Sequence, residues 1–222
     1  MGHVSTATAI SEFDKKIQKV IKKEVYPKVK PAPFLHAHLL EAGVDEVGRG
    51  CLAGPVFAAA VILPKDFNND ILTDSKMMTE KNRYKLRDII QTAALAYGVA
   101  YATEAEIDEH NIANASYIAM NRAIHLLGKT PEILLIDGKY YKPYGLEIPF
   151  NCIIKGDLKF AAIAAASVLA KTYRDDWMKN LTPQYPEYAW DVNKGYPTKQ
   201  HRAAILKCGV TPYHRKTFRL LA

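Results

Sequence analysis

Two adjacent acids, Asp45 and Glu46, close a short apolar run and are followed at once by Gly48-Arg49-Gly50. Carboxylates are ligands for hard divalent cations, and a glycine turn exposes backbone N–H groups and lets a phosphate come close. Arg49 adds a planar cation suited to phosphate oxygens. Neighbouring side chains on a strand point to opposite faces, so the two acids can serve one cation only where the strand ends and its alternation breaks. The glycines are placed to supply that break. Glu132-Ile-Leu-Leu-Ile-Asp137-Gly138 is a second apolar strand ending in an acid, and Ile153-Ile154-Lys155-Gly156-Asp157 repeats the pattern. Carboxylates beside a core cost free energy unless paired or bound to metal, so three such termini are hard to explain by folding needs alone. Converging on one site, the four acids would hold Mg²⁺ or Mn²⁺ as in two-metal phosphoryl transfer. Spacing alone leaves convergence open, and a solvated acidic strand end before an ordinary turn is the plain alternative.

The elements that must position these residues follow from periodicity. Strands are predicted over 43–47, 55–63, 97–103, 132–137 and 148–154. Helices are predicted near 79–95, opened by Thr79 with Glu80, at about 112–127, over 160–181, and near 198–208 ahead of a C-terminal tail. Strands first, then alternation with helices, indicate an α/β or mixed layer. Small residues from Ala161 to Ala166 let the long helix pack closely on a sheet.

Asp45-Glu46-Val47-Gly48-Arg49-Gly50 with Leu52-Ala53-Gly54-Pro55-Val56, then Asp74-Ser75-Lys76, Ile136-Asp137-Gly138 and Lys155-Gly156-Asp157 occur in one order. Ile163 to Lys171 with Arg174-Asp175, Gly195-Tyr196-Pro197-Thr198 and Thr211-Pro212-Tyr213-His214-Arg215 complete it. The combination resembles type 2 ribonuclease H, ribonuclease HII, from about residue 40 to the C-terminus. The resemblance implies a ribonuclease H-like fold, a mixed five-stranded sheet flanked by helices, with a C-terminal helical segment. It also implies a metal-dependent endonuclease that cuts the RNA strand of RNA–DNA hybrids, and the 5′ side of ribonucleotides embedded in duplex DNA, leaving 3′-hydroxyl and 5′-phosphate. Such cutting serves ribonucleotide and primer removal in DNA repair and replication. Two divalent cations, Mg²⁺ or Mn²⁺, are implied on Asp45, Glu46, Asp137 and Asp157. Asp45 would be shared, Glu46 and Asp137 would hold one ion, and Asp157 would help place the other. By the same resemblance Gly48, Arg49 and Gly50 read the ribose 2′-OH together with Tyr196, whose turn between Gly195 and Pro197 presents a ring for stacking. Lys76 is a candidate phosphate contact, although Asp74 and Ser75 are also credible helix caps. Ribonuclease HIII shares the acids but usually replaces the arginine of Gly-Arg-Gly and carries a larger N-terminal domain. A non-catalytic hybrid-binding protein would have lost an acid, and all four are present. The Gly-Arg-Gly loop and Tyr196 disfavour a resolvase.

Composition points the same way. Thirty Lys and Arg against 23 Asp and Glu give +7, and a protein with an acidic site needs that surplus elsewhere to bind a polyanion. At 222 residues and 49% hydrophobic content the chain suffices for one catalytic domain, 35–222, preceded by a segment, 1–34. In that segment Ile10, Phe13, Ile17, Val20, Ile21 and Val25 recur at helical spacing among lysines, and Pro27, Pro31 and Pro33 form a linker. This basic amphipathic helix would dock its apolar stripe on the main domain or grip DNA; the resemblance does not reach it. Cys51, Cys152 and Cys208 lack a CxxC pair and point to a reducing interior. No apolar run approaches the ~20 residues of a membrane span, so a cytoplasmic monomer is expected. Asp175 and Asp176 are expected on an exposed polar face with local ion pairs, outside the metal site. The seven histidines form no metal-binding pattern and are assigned structural or solvent roles, with His214 in a block near the substrate cleft.

Overall fold

The computed structural model describes residues 30–70, 72 and 78–221. The N-terminal amphipathic helix and the Asp74-Ser75-Lys76 loop lie outside the described residues.

Five strands, β1 (Glu41–Val47), β2 (Val56–Ile62), β3 (Ala96–Ala102), β4 (Ile133–Asp137) and β5 (Phe150–Ile153), form one mixed sheet in the order β3-β2-β1-β4-β5. β1 pairs antiparallel with β2, Asp45 opposite Ala59 and Val47 opposite Phe57, and parallel with β4, Val44 opposite Ile136. β3 runs antiparallel to β2, and β5 parallel to β4. Every residue of β2 is buried because helices cover both faces, which is why it reads as a continuous apolar run.

Along β1 the side chains alternate between two cores. Ala42 and Val44 join Ala58, Ala60, Leu134 and Ile136 on the face covered by α2 (Glu104–His125). On the other face Ala59 and Val61 pack with α1 (Glu80–Ala93) and α3 (Ala161–Leu181). α3 presents an unbroken buried stretch from Ala161 to Ala170. Its small side chains let the helix axis approach the sheet, and truncating the fully buried Ile163 to Ala would cost about 2–5 kcal/mol. A third cluster joins the C-terminal part of α3 to α4 (Trp190–Asn193) and α5 (Lys199–Cys208) through Met178, Trp190 and Ile205.

The strands and helices predicted within the described residues are all present, with shifted ends. Thr79 caps α1 by accepting the Asn82 N–H at 3.3 Å, and Thr198 caps α5 through the His201 N–H at 3.1 Å. The helix expected at 112–127 starts earlier, at Glu104, behind a capping box of Thr103 and Glu106. Its first turns carry little apolar periodicity, and Asn111 breaks the helix at φ 65, ψ 163. The Asn111 Oδ1 then accepts the N–H groups of Ala113 and Asn114 at 3.0 and 3.1 Å, restarting the helix. α3 has no side-chain cap; Ala32 fills that place, its carbonyl accepting the Ala161 N–H at 2.8 Å.

Candidate active site

The parallel register sets Asp45, one residue beyond Val44, level with Asp137, one beyond Ile136. Asp137 Oδ1 accepts the Gly156 N–H at 2.7 Å, which brings the following 3₁₀ turn, Gly156–Leu158, against β4. Asp157 is buried in that turn. The expectation that Asp157 ends a strand is corrected: β5 stops at Ile153, and Lys155, at φ 55 and ψ 45, turns the chain into the 3₁₀ segment. A second correction concerns β1. Its ladder stays regular through Val47, so alternation does not break at the acids. Asp45 shares a face with Ala59 and α3, where the Ser167 hydroxyl hydrogen-bonds it, while Glu46 lies on the face of Val44. The strand ends only two residues later, close enough for the two carboxylates to feel each other.

Burial pushes the Asp45 carboxyl well above the usual carboxylate range, and the charges of Glu46, Asp137 and Asp157 push it further. Glu46 is raised as well, by burial first and by Asp137, against the opposing pull of Arg49. An Arg49–Glu46 pair at 3.2 Å engages one carboxylate oxygen, and Glu46 Oε2 is buried with no hydrogen-bond partner. Hard oxygen donors, mutual repulsion and an orphaned buried oxygen fit a divalent cation. Among the described residues no three acidic, histidine or cysteine side chains already surround one point. Cation binding would therefore replace contacts such as Arg49–Glu46 rather than fill a finished cage.

Beside the acids stands a shelf built on two buried guanidiniums. Arg174, on α3, donates to the carbonyls of Pro55 (3.0 Å), Ala53 (3.0 Å) and Lys194 (2.8 Å). Arg215 donates to Gly54 O at 3.0 and 2.8 Å and to Arg49 O at 2.9 Å. Gly48 sits at φ +97 against the Arg174 side chain, where a Cβ would lie 2.3 Å from Nε. Gly195, at φ +80, leaves no room for a Cβ, which would fall 2.4 Å from Ala53 O, and its carbonyl accepts the Leu52 N–H at 2.8 Å. The Gly-Arg-Gly loop and the Tyr196 turn are thus one unit. Gly50 and Arg49 are exposed at its rim. Tyr196 is 37% exposed, with Lys171 Nζ 5.7 Å from its ring centroid, while burial beside Cys51 raises its pKa.

A buried histidine pair holds the Tyr196 backbone. His214 Nδ1 accepts the Thr211 N–H at 2.9 Å, leaving Nε2 to face His201 Nε2 at 3.2 Å. Trp190 Nε1 donates to the same His201 nitrogen at 3.0 Å, so the proton of His201 belongs on Nδ1, 2.9 Å from Tyr196 O. Burial lowers both pKa values, that of His214 to about 4. His214 is therefore a structural support of the Tyr196 turn.

Ser167, Lys171, Arg174 and Arg215 lie within the motifs that carry the family resemblance but have no individual role marked there, and His201 only the general structural one expected of the histidines. No residue pattern announces an arginine whose partners are backbone carbonyls. Asp175 is corrected: it is buried, 2% exposed, and pairs with Lys171 at 2.6 Å beneath Tyr196, because the shelf covers that side of α3. Asp176 is half-buried and binds Arg87 at 2.5 Å. Glu104 is also buried behind the loop, its Oε1 without a partner and its pKa raised by burial to about 7 despite Arg215 and Arg174 nearby. Cys51 is buried, Cys152 half-buried and Cys208 exposed, all as free thiols. Among the described residues no helix is long and apolar enough to cross a membrane.

Sheet order, two helical faces and carboxylates at neighbouring strand ends beside a glycine loop define a hydrolytic nuclease of the ribonuclease H-like fold. The sequence model of the Ribonuclease HII family matches residues 42–221, and the chain belongs to that family of divalent-metal-dependent endonucleases acting on the RNA of RNA–DNA hybrids. It is 59% identical over 189 residues to ribonuclease HII of Bacteroides thetaiotaomicron, covering 85% of this chain and 94% of that protein. The crystal structure of ribonuclease H2 from Pyrococcus horikoshii OT3 superposes with a TM-score of 0.67 at 25% identity, covering 81% of this chain and 94% of that one. Bst-RNase HIII in complex with Mn²⁺, 17% identical with a TM-score of 0.64 over 92% of this chain and 78% of that one, shares the fold.

Proposed function

We propose that Asp45, Glu46, Asp137 and Asp157 hold two divalent cations, Mg²⁺ or Mn²⁺, and that the chain cuts the phosphodiester on the 5′ side of a ribonucleotide in duplex DNA, as well as RNA within longer hybrids. The observation that carries this reading is the bonding of the Gly48-Arg49-Gly50 loop to the Tyr196 turn beside the four acids, through Arg174 and the Leu52–Gly195 hydrogen bond. Cations so held would activate the attacking water and offset charge on the departing 3′-oxygen. The chain's own residues do the selecting. Backbone N–H groups at Gly48 to Gly50 approach the ribose, where the 2′-OH separates RNA from DNA. Tyr196 stacks on the sugar that follows, and Lys171 beneath its ring favours the adjacent phosphate. Lys76 is proposed as a further phosphate contact. Burial and the neighbouring acids raise the Asp45 pKa, and a bound cation would favour its ionised form. Products are 3′-hydroxyl and 5′-phosphate ends. The protein acts as a cytoplasmic monomer in ribonucleotide and primer removal, with residues 35–222 as its catalytic domain.

The test is cleavage of a labelled DNA duplex with one ribonucleotide, beside an all-DNA duplex and a continuous hybrid, each with Mg²⁺, Mn²⁺ or EDTA. A metal-dependent cut 5′ of the single ribonucleotide, absent from plain DNA, is expected. Cleavage of the continuous hybrid alone would replace junction reading with a ribonuclease HIII-like specificity.

A further inference from the structure

The segment that leaves β4 directly after Asp137 carries Lys139, Tyr140, Lys142 and Tyr144. These side chains face outward, Tyr140 66% exposed and Tyr144 38%. Yet the loop itself is tightly held. The buried Asn121 amide on α2 donates to Lys142 O at 2.9 Å and Tyr117 O at 2.7 Å, and accepts from the Tyr141 hydroxyl at 2.9 Å and the Tyr144 N–H at 3.0 Å. Tyr141 turns inward and packs edge-on against Phe150 at 5.2 Å. The two outward rings each lie near a lysine, Lys139 Nζ 5.0 Å from Tyr140 and Lys142 Nζ 5.2 Å from Tyr144. Anchored backbone, exposed aromatic faces and interleaved cations are what a nucleic-acid strand uses for stacking and phosphate contact.

Position supplies the rest. In the order β2-β1-β4-β5 the Gly-Arg-Gly loop leaves β1 toward β2, while this loop leaves β4 toward β5. The acids lie between. Three residues of chain place the Tyr140 Cα within about 11 Å of Asp137, and five place Lys142 within about 18 Å. At about 3.4 Å per base-pair step, that reach covers roughly one to five base pairs.

We propose that the Lys139–Tyr144 loop is a binding platform for the substrate strand 5′ of the cut. This rests on the reading that the Gly-Arg-Gly loop and Tyr196 hold the ribonucleotide and the DNA 3′ of it, so that the strand's 5′ part crosses the acids toward β4 and β5. The platform sets affinity, and bond breaking stays with the acids.

The test compares wild type with Tyr140→Ala, Tyr140→Phe and Lys139→Ala/Lys142→Ala on single-ribonucleotide duplexes with a long or a trimmed 5′ flank. On the long flank Tyr140→Ala raises KM about tenfold with kcat unchanged, and Tyr140→Phe keeps the wild-type value. Trimming the 5′ flank raises KM for wild type and leaves Tyr140→Ala unmoved. Removing both lysines lowers the salt slope of binding, measured in EDTA, by about 2. An unchanged KM and salt slope, or a KM effect that follows trimming of the 3′ flank instead, would overturn the platform. Failure of wild type to cut any ribonucleotide duplex would overturn the junction reading, while the EDTA salt slopes still judge the loop.

Discussion

The acid cluster at the ends of β1 and β4 and the shelf beneath Tyr196 stand side by side, both buried and both charged, and they are completed in opposite ways. On the shelf every buried cation is answered within the fold: Arg174 spends its guanidinium on three carbonyls and Arg215 on two. In the cluster burial and neighbouring carboxylates raise the pKa of Asp45 and of Glu46, and Glu46 Oε2 has no partner. A finished polar network specifies one geometry, which suits the role proposed for it in reading a 2′-OH. An unfinished one stores a binding site for positive charge, at a cost in stability while it stays empty.

The contrast breaks most sharply at Asp45. Asp45→Asn should lower kcat at least about a thousandfold, as loss of transition-state electrostatics does, yet raise the melting temperature of the metal-free protein. Cleavage rates and a thermal melt in EDTA check both halves; normal cutting would remove Asp45 from the centre. Arg174→Met should do the reverse, leaving buried carbonyls unpaired. A loss of about 3–5 kcal/mol, near 10 °C in melting temperature, is expected in thermal and urea unfolding.

Glu104 sharpens the comparison, being an unfinished acid behind the shelf. Its folded pKa of about 7 lies above the ordinary 4.5, so the folded state keeps a proton that the unfolded chain has lost, and stability falls as pH rises from 4.5 to 7. Glu104→Gln should therefore gain about 2–3 kcal/mol at pH 8 and almost nothing at pH 4, read from urea midpoints. The histidine pair behaves oppositely. His214 titrates near 4 when folded and near 6.5 when unfolded, so its contribution is complete above 6.5 and drains away as pH falls toward 4. Unfolding at pH 5 should show about 2 kcal/mol less stability from this group than at pH 7.5, and His214→Asn should flatten that slope.

Much of the cluster was legible in the sequence because strand-terminal acids after Ile and Leu runs are a local pattern. Local pattern fails where a residue's partner is distant. The buried Arg174, Arg215 and His201 answer carbonyls or rings 119, 161 and 13 residues away, and although Arg174 and Arg215 lie in motifs of the resemblance, nothing local names those partners. Asp175 was expected at the surface because helical charge usually is; it is buried beside Lys171, Lys194 and Tyr196, which come from the same helix and from a distant turn. The start of α2 escaped periodicity because its first turns bury little beyond Ile107 and Asn111 interrupts it. The mixed five-stranded sheet came from resemblance, and the strand order from the structure alone, since periodicity carries no pairing information.

Thermal melts in EDTA and in saturating Mn²⁺, for wild type and for the Asp45→Asn/Asp137→Asn double variant, test the unfinished cluster most directly. Binding at a hundredfold excess over Kd stabilises by about 2.7 kcal/mol, so wild type should melt several degrees higher with Mn²⁺. The double variant, with the repulsion gone, should melt higher in EDTA and gain little from the metal. Equal Mn²⁺ shifts in both proteins, or none in wild type, would contradict the assignment of these acids as the cation site.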